Sequence, residues 1–113
     1  MSETYELFQL GRAHLRNGMA AQATVPLEKA KRAEPTSRSI REALGIAYFR
    51  IGRWKEAEAE FRALVELAPA DEFAHYALGR ALVNQGRREE ATPHIKLGRA
   101  LRPRTPADAE TLE

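Results

Sequence analysis

Apolar residues recur at steps of three and four along most of the chain, as in Leu7, Leu10, Ala13 and His14 and again in Leu44, Ala47, Tyr48 and Ile51. That spacing lays one stripe along one face of a helix. No stretch alternates apolar and polar with a period of two, so no strand is predicted. The first helices stop at Asn17-Gly18, Ile51-Gly52 and Gln85-Gly86, where glycine can take the left-handed conformation that closes a helix C-terminus. A second helix begins at once and ends before Glu34-Pro35, Ala68-Pro69 and Arg102-Pro103, because proline disfavours the helical region in the residue before it and lacks an amide donor. Thr36, Ser37 and Asp71 then offer N-caps for the next first helix.

The punctuation repeats. Gly11, Gly45 and Gly79 are 34 residues apart, and so are Gly18, Gly52 and Gly86, Ala13, Ala47 and Ala81, Ala23, Ala57 and Ala91, and Pro35, Pro69 and Pro103. The pattern divides a single domain, residues 1–113, into repeats at 4–37, 38–71 and 72–105, with a short acidic tail at 106–113. Glycine in mid-helix costs about 1 kcal/mol relative to alanine, so its return at one position predicts close approach of two helices. Ala23, Ala57 and Ala91 are the expected facing contacts.

Composition narrows the chemistry. The 113 residues, 43% hydrophobic and 30% charged, supply one core and lack the signature of disorder. With no cysteine, disulfides, thiolate metal sites and a thiol nucleophile are excluded. No apolar run approaches the roughly 20 residues that span a bilayer, and Met1 to Leu10 lacks the features of a secretion signal. A soluble cytoplasmic protein is expected. The net charge of +2 is spread as −1 at Glu3, +2, 0 and +4 over the three repeats and −3 over the tail.

The repeats resemble the tetratricopeptide repeat (TPR) family, in which Leu-Gly, an aromatic, an alanine, a bulky residue and a proline recur in order. The middle repeat reads Leu44-Gly45, Tyr48, Ala57, Phe61, Leu64 and Pro69; the first Leu10-Gly11, His14, Ala23, Leu27, Ala30 and Pro35; the third Leu78-Gly79, Leu82, Ala91, Ile95, Gly98 and Pro103. The resemblance implies an all-α fold, a right-handed α-solenoid of three antiparallel helix-turn-helix hairpins. Arg41 and His75 depart from the pattern at a usually apolar position, and Gly98 at a usual alanine. Pro26 and Pro93 fall about two turns into second helices, which predicts bent or late-starting helices there.

The resemblance also implies a concave surface lined by first helices and offered to a partner. Its groove positions are Tyr5, Phe8, Arg12 and Arg16; Ser39, Glu42, Ile46 and Arg50; Phe73, Tyr76, Arg80 and Asn84. Four aromatics, four arginines and one carboxylate make a face of +3. Aromatics and arginine are enriched in binding hot spots, and arginine pairs bidentately with carboxylates. The expected partner is a peptide or helix with acidic and apolar side chains, and the expected role a non-catalytic scaffold or adaptor. Where related modules clamp the C-terminal carboxylate of Hsp70 and Hsp90 with Lys, Asn and Arg, this chain has Phe8, Arg12, Ala43, Phe73 and Ala77. No such clamp is expected.

Other chemistry is weakly supported. His14 and His75 sit at packing positions in different repeats, and with His94 they read as core or partly buried histidines; no metal or cofactor is expected. Glu56, Glu58 and Glu60 alternate along one second helix and read as a solvated face, glycines occur singly rather than in a phosphate-binding loop, and an enzyme is not expected. Nucleic acid is an unlikely partner, since Glu89 and Glu90 interrupt the basic third repeat. The rival to groove binding is self-association. The tail is too short to cap the stack, so Ile95, Leu97 and Leu101, beside Leu82 and Val83, are expected to stay partly exposed and to drive homo-oligomerisation.

Overall fold

The computed structural model describes residues 2–102, which form six helices: α1 (Glu3–Arg16), α2 (Ala20–Ala33), α3 (Arg38–Arg50), α4 (Trp54–Leu67), α5 (Glu72–Val83) and α6 (Arg88–Leu101). No strand occurs among the described residues. Helices pack pairwise as α1/α2, α3/α4 and α5/α6, each pair stacks on the next through α2/α3 and α4/α5, and α1 also touches α3. The result is an elongated α-solenoid, 52 × 32 × 26 Å. The expected stop at Pro103 and the tail 106–113 lie outside the described residues.

Ser2, Ser37 and Asp71 cap the first helices, accepting from the amides of Tyr5, Ile40 and Phe73. Thr36 does not serve as the cap. Each hairpin turn is closed by a glycine in the left-handed region, with φ of 73° at Gly18, 77° at Gly52 and 78° at Gly86. The Gly18 amide donates to the Leu15 carbonyl and the Met19 amide to that of His14, and the other turns repeat the pair as Gly52 to Phe49 with Arg53 to Tyr48, and Gly86 to Val83 with Arg87 to Leu82. These paired hydrogen bonds satisfy the last carbonyls of a helix. Met19, Arg53 and Arg87 then stand immediately before the second helices as their N-caps.

The mid-helix glycines are sockets. A Cβ on Gly11 would lie 2.5 Å from Cγ of Leu27, and one on Gly79 2.5 Å from Cγ1 of Ile95; at Gly45 it would strike the ring of Phe61. The expected partners were the alanines, and this is corrected: the knobs are the bulky residues four positions further on, one helical turn away on the same face. Ala23, Ala57 and Ala91 are fully buried beside them. Gly98 has a separate reason to be small. A side chain there would meet the Glu72 carbonyl at 3.1 Å and the Tyr76 amide at 3.2 Å.

Neither proline delays its helix. α2 and α6 begin at Ala20 and Arg88, in register with Trp54 of α4, and run through Pro26 and Pro93. Each ring removes one amide, whose acceptors would be the carbonyls of Gln22 and Glu89. Both residues are exposed, so water can replace the lost donor.

A second correction concerns the carboxylates of α4. Glu60 is buried at 4% exposure, where Lys31 of α2 and Arg41 of α3 each reach it at 2.9 Å. Glu58 is largely covered and accepts from Arg62 at 2.8 Å, Arg87 at 2.7 Å and Gln85 at 2.9 Å, which joins α4 to the third hairpin. Of the three, Glu56 alone has no partner beyond its own neighbourhood among the described residues, pairing with Arg53 three residues before it. The alternation hid the cause: the compensating cations come from other helices. Burial pulls the Lys31 ammonium down, but Glu60, joined by Glu28, carries it above its ordinary value. Burial alone would raise Glu58, and Gln85, Arg62 and Arg87 hold it below the usual carboxylate range.

Candidate functional site

The first helices turn one face to an open groove with two adjoining compartments. The first, about 390 Å³, lies between α1 and α3 and is lined by Phe8, Arg12, Leu15, Arg16, Ser39, Glu42, Ala43, Ile46 and Arg50. The second, about 200 Å³, lies between α3 and α5 and is lined by Ile46, Phe49, Arg50, Phe61, Phe73, Tyr76, Ala77 and Arg80. Ile46 and Arg50 form the divide. Ten of the twelve stripe residues line this groove. Tyr5 is half exposed near the start of α1 and outside both compartments, and Asn84 closes the end of α5, its amide bonded to the Arg80 carbonyl.

Part of the stripe is also core. Phe8 packs on the cluster around Leu27 and Leu44, while Ile46 and Phe73 pack on the one around Phe61 and Leu78. Phe73 meets Phe61 edge-on at 6.0 Å. The sequence pattern missed Leu15, Ala43, Phe49, Phe61 and Ala77 as lining. Leu15 and Phe49 share one repeat position, three residues after groove positions Arg12 and Ile46, so the helical period carried that signal.

Three of the four arginines, Arg12, Arg50 and Arg80, are held by neighbours. Arg12 lies 5.6 Å from the centroid of Phe8, and Arg80 lies 5.8 Å from that of Phe49 and 5.9 Å from that of Tyr76. Such contacts are worth about 0.5–1 kcal/mol at exposed sites. Arg50 donates from Nη1 to the Leu15 carbonyl at 3.0 Å and so ties α3 to the end of α1. Glu42 is the one acidic lining residue; burial first, then Asp71, raises its carboxyl, against the pull of Arg12.

No group of three His, Cys, Asp or Glu suited to a metal occurs among the described residues. His75 is buried and His94 half-buried, their rings stacked at 6.1 Å. On the third hairpin, Leu82 is fully buried, Ile95 is spent on the Gly79 socket and Val83 packs on the core. Of the apolar surface expected there, Leu97 is 43% exposed and Val83, Ile95 and Leu101 are half-buried, whereas Leu82 is not exposed. No helix among the described residues is long and apolar enough to cross a membrane.

Stacked hairpins with glycine-closed turns, glycine sockets and an open face built by the first helices define a tetratricopeptide-type solenoid, the class the repeat predicted. Solved structures agree. MamA AMB-1 is 30% identical with a TM-score of 0.83, over 87% of this chain and 58% of the MamA chain, so the chain spans less than two thirds of that relative. The first TPR domain of Spaghetti (RPAP3), bound to the HSP90 peptide SRMEEVD, is 22% identical with a TM-score of 0.83, over 97% of this chain and 87% of that one. The Yersinia enterocolitica type III secretion translocator chaperone SycD is 15% identical with a TM-score of 0.82, over 96% and 83%. No curated protein sequence matches. The chain belongs to the bacterial transcriptional activator domain family, whose model matches residues 22–101.

Proposed function

We propose that the chain is a non-catalytic interaction scaffold that holds a protein segment with acidic and apolar side chains against the face of α1, α3 and α5. One observation carries this reading: the two compartments gather Arg12, Arg16, Arg50 and Arg80 around apolar walls with Glu42 as the single opposing charge. Aromatics and arginines of this kind dominate binding hot spots. The family name, bacterial transcriptional activator domain, supports a setting in transcriptional activation, and a cytoplasmic adaptor is the reading that goes with it. Nucleic acid fits less well, since Arg87 of the basic third repeat is committed to Glu58 and Glu90.

The test is capture from a lysate of the source cells. A partner retained by the wild type and lost on the Arg12→Glu, Arg80→Glu double variant supports the groove, and equal capture by both rejects it. The second reading is self-association through α6, favoured by the exposure of Leu97 next to half-buried Leu101. Leu97→Glu abolishes association of that kind and leaves groove binding intact.

A further inference from the structure

This inference rests on the groove reading above and assigns the two compartments different tasks. We propose that the α3/α5 compartment is an anchor pocket for one aromatic or branched apolar side chain of the partner, and that carboxylates flanking the anchor are held by Arg50 and Arg80 at its rim and by Arg12 and Arg16 beyond the divide.

Size sets the number of side chains. The compartment measures about 200 Å³, and an apolar cavity of about 150 Å³ holds one benzene. One ring fits and two do not. Its walls are Ile46, Phe49, Phe61, Phe73, Tyr76 and Ala77. Phe61 is fixed in the core and Phe73 is braced edge-on against it, so the pocket floor stands before any ligand arrives. A preformed pocket saves the ordering cost of binding.

Charge sets what surrounds the anchor. Arg80 rests against the rings of Phe49 and Tyr76, two of the walls. Arg50 spends Nη1 on the Leu15 carbonyl, and a guanidinium carries five donors in a fixed fork. A carboxylate next to the buried side chain therefore meets guanidinium groups already in place, where bidentate pairing is strongest. The α1/α3 compartment has Arg12, Arg16 and Arg50 against Glu42, so it favours a second acidic residue over an apolar one.

The experiment compares three fluorescein-labelled peptides with the full chain by fluorescence polarisation at low salt: acetyl-Asp-Glu-Glu-Phe-Glu-Glu-Asp-amide, the same peptide with Ala for Phe, and the same peptide with Asn and Gln for its acids. The Phe peptide should bind about tenfold more tightly than either relative, the loss expected when a buried anchor or its charge pairing is removed. Tyr76→Ala, at an exposed position, should weaken the Phe peptide and leave the Ala peptide unchanged. Equal binding of the Phe and Ala peptides overturns the anchor pocket while leaving acidic groove binding standing. Binding by none of the three overturns both.

Discussion

Arg41 and His75 stand one repeat apart, and each holds the carbonyl of the proline six residues before it. Arg41 Nε donates to the Pro35 carbonyl at 2.9 Å, and His75 Nε2 lies 2.7 Å from the Pro69 carbonyl. The correspondence extends to the second helices, where His94 lies 34 residues after Glu60. The Arg41–Glu60 ion pair of the second hairpin is thus replaced in the third by the stacked rings of His75 and His94. With Nε2 donating to Pro69, the buried Nδ1 of His75 has no partner.

That replacement makes the third hairpin acid-sensitive. Burial first, then the charges of Arg62 and His75, holds His94 below the ordinary histidine value of 6.5. A group depressed in the folded state binds fewer protons folded than unfolded, so its contribution is present above 6.5 and is lost as the pH falls through the folded value. The melting temperature should fall between pH 7.5 and pH 6, and His94→Gln should flatten that fall. An unchanged slope in the variant rejects the assignment.

Glu60 makes the opposite arrangement costly to disturb. Glu60→Ala leaves Lys31 and Arg41 facing each other without the carboxylate that both hold. Breaking a buried ion pair from one side costs about 3 kcal/mol. Urea unfolding should show that loss as a lower midpoint at an unchanged slope, whereas Glu56→Ala, on an exposed local pair, should cost about 0.5 kcal/mol or less.

The repeat punctuation was legible in the sequence because each mark answers a local backbone demand: a positive φ at Gly18, Gly52 and Gly86, a socket at Gly11, Gly45 and Gly79. The stripe of groove residues came from the helical period in the same way. What a single helix cannot show is its partner across the stack. Spacing marked small residues on α1, α3 and α5 but not that Leu27, Phe61 and Ile95 fill them, and it marked Glu58 and Glu60 as polar without revealing cations brought in by α2, α3 and the third hairpin. The short tail made Leu82 look exposed for want of a cap, yet the packing of α5 against α6 buries it fully, while Ile95 is half-buried over the Gly79 socket.

The sockets differ in tolerance. Gly45→Ala gains about 1 kcal/mol of helix propensity, but the new methyl strikes the ring of Phe61, a rigid side chain only 2% exposed. Overpacking of this kind costs about 1–3 kcal/mol, so net destabilisation is expected in chemical unfolding. Repair by the second substitution Phe61→Leu would identify the ring as the cause.

Pro93 offers a gain. It is exposed inside α6, so replacing it forfeits no packing and restores an amide to the helix ladder. Pro93→Ala should raise stability by about 2 kcal/mol, somewhat below the full penalty of an interior proline. Pro26 is buried, and Pro26→Ala should gain less. Thermal unfolding of the two variants side by side decides the order.

At the positions of the carboxylate clamp, Phe8 packs on the core, and Ala43 and Ala77 are buried and apolar. A peptide ending in Glu-Glu-Val-Asp should therefore show no micromolar binding by calorimetry, and such binding would refute the exclusion.

Each hairpin turn hands one helix to the next with no spare residue, since Met19, Arg53 and Arg87 each donate the second hydrogen bond of the turn beside the closing glycine's and also head the following helix. One added amino acid at such a corner would swing the second helix by about 100° about its axis and point Leu27, Phe61 or Ile95 away from its glycine. Length changes in descendants of this chain should accumulate where Pro35 and Pro69 join the hairpins, and hardly ever at the glycine corners.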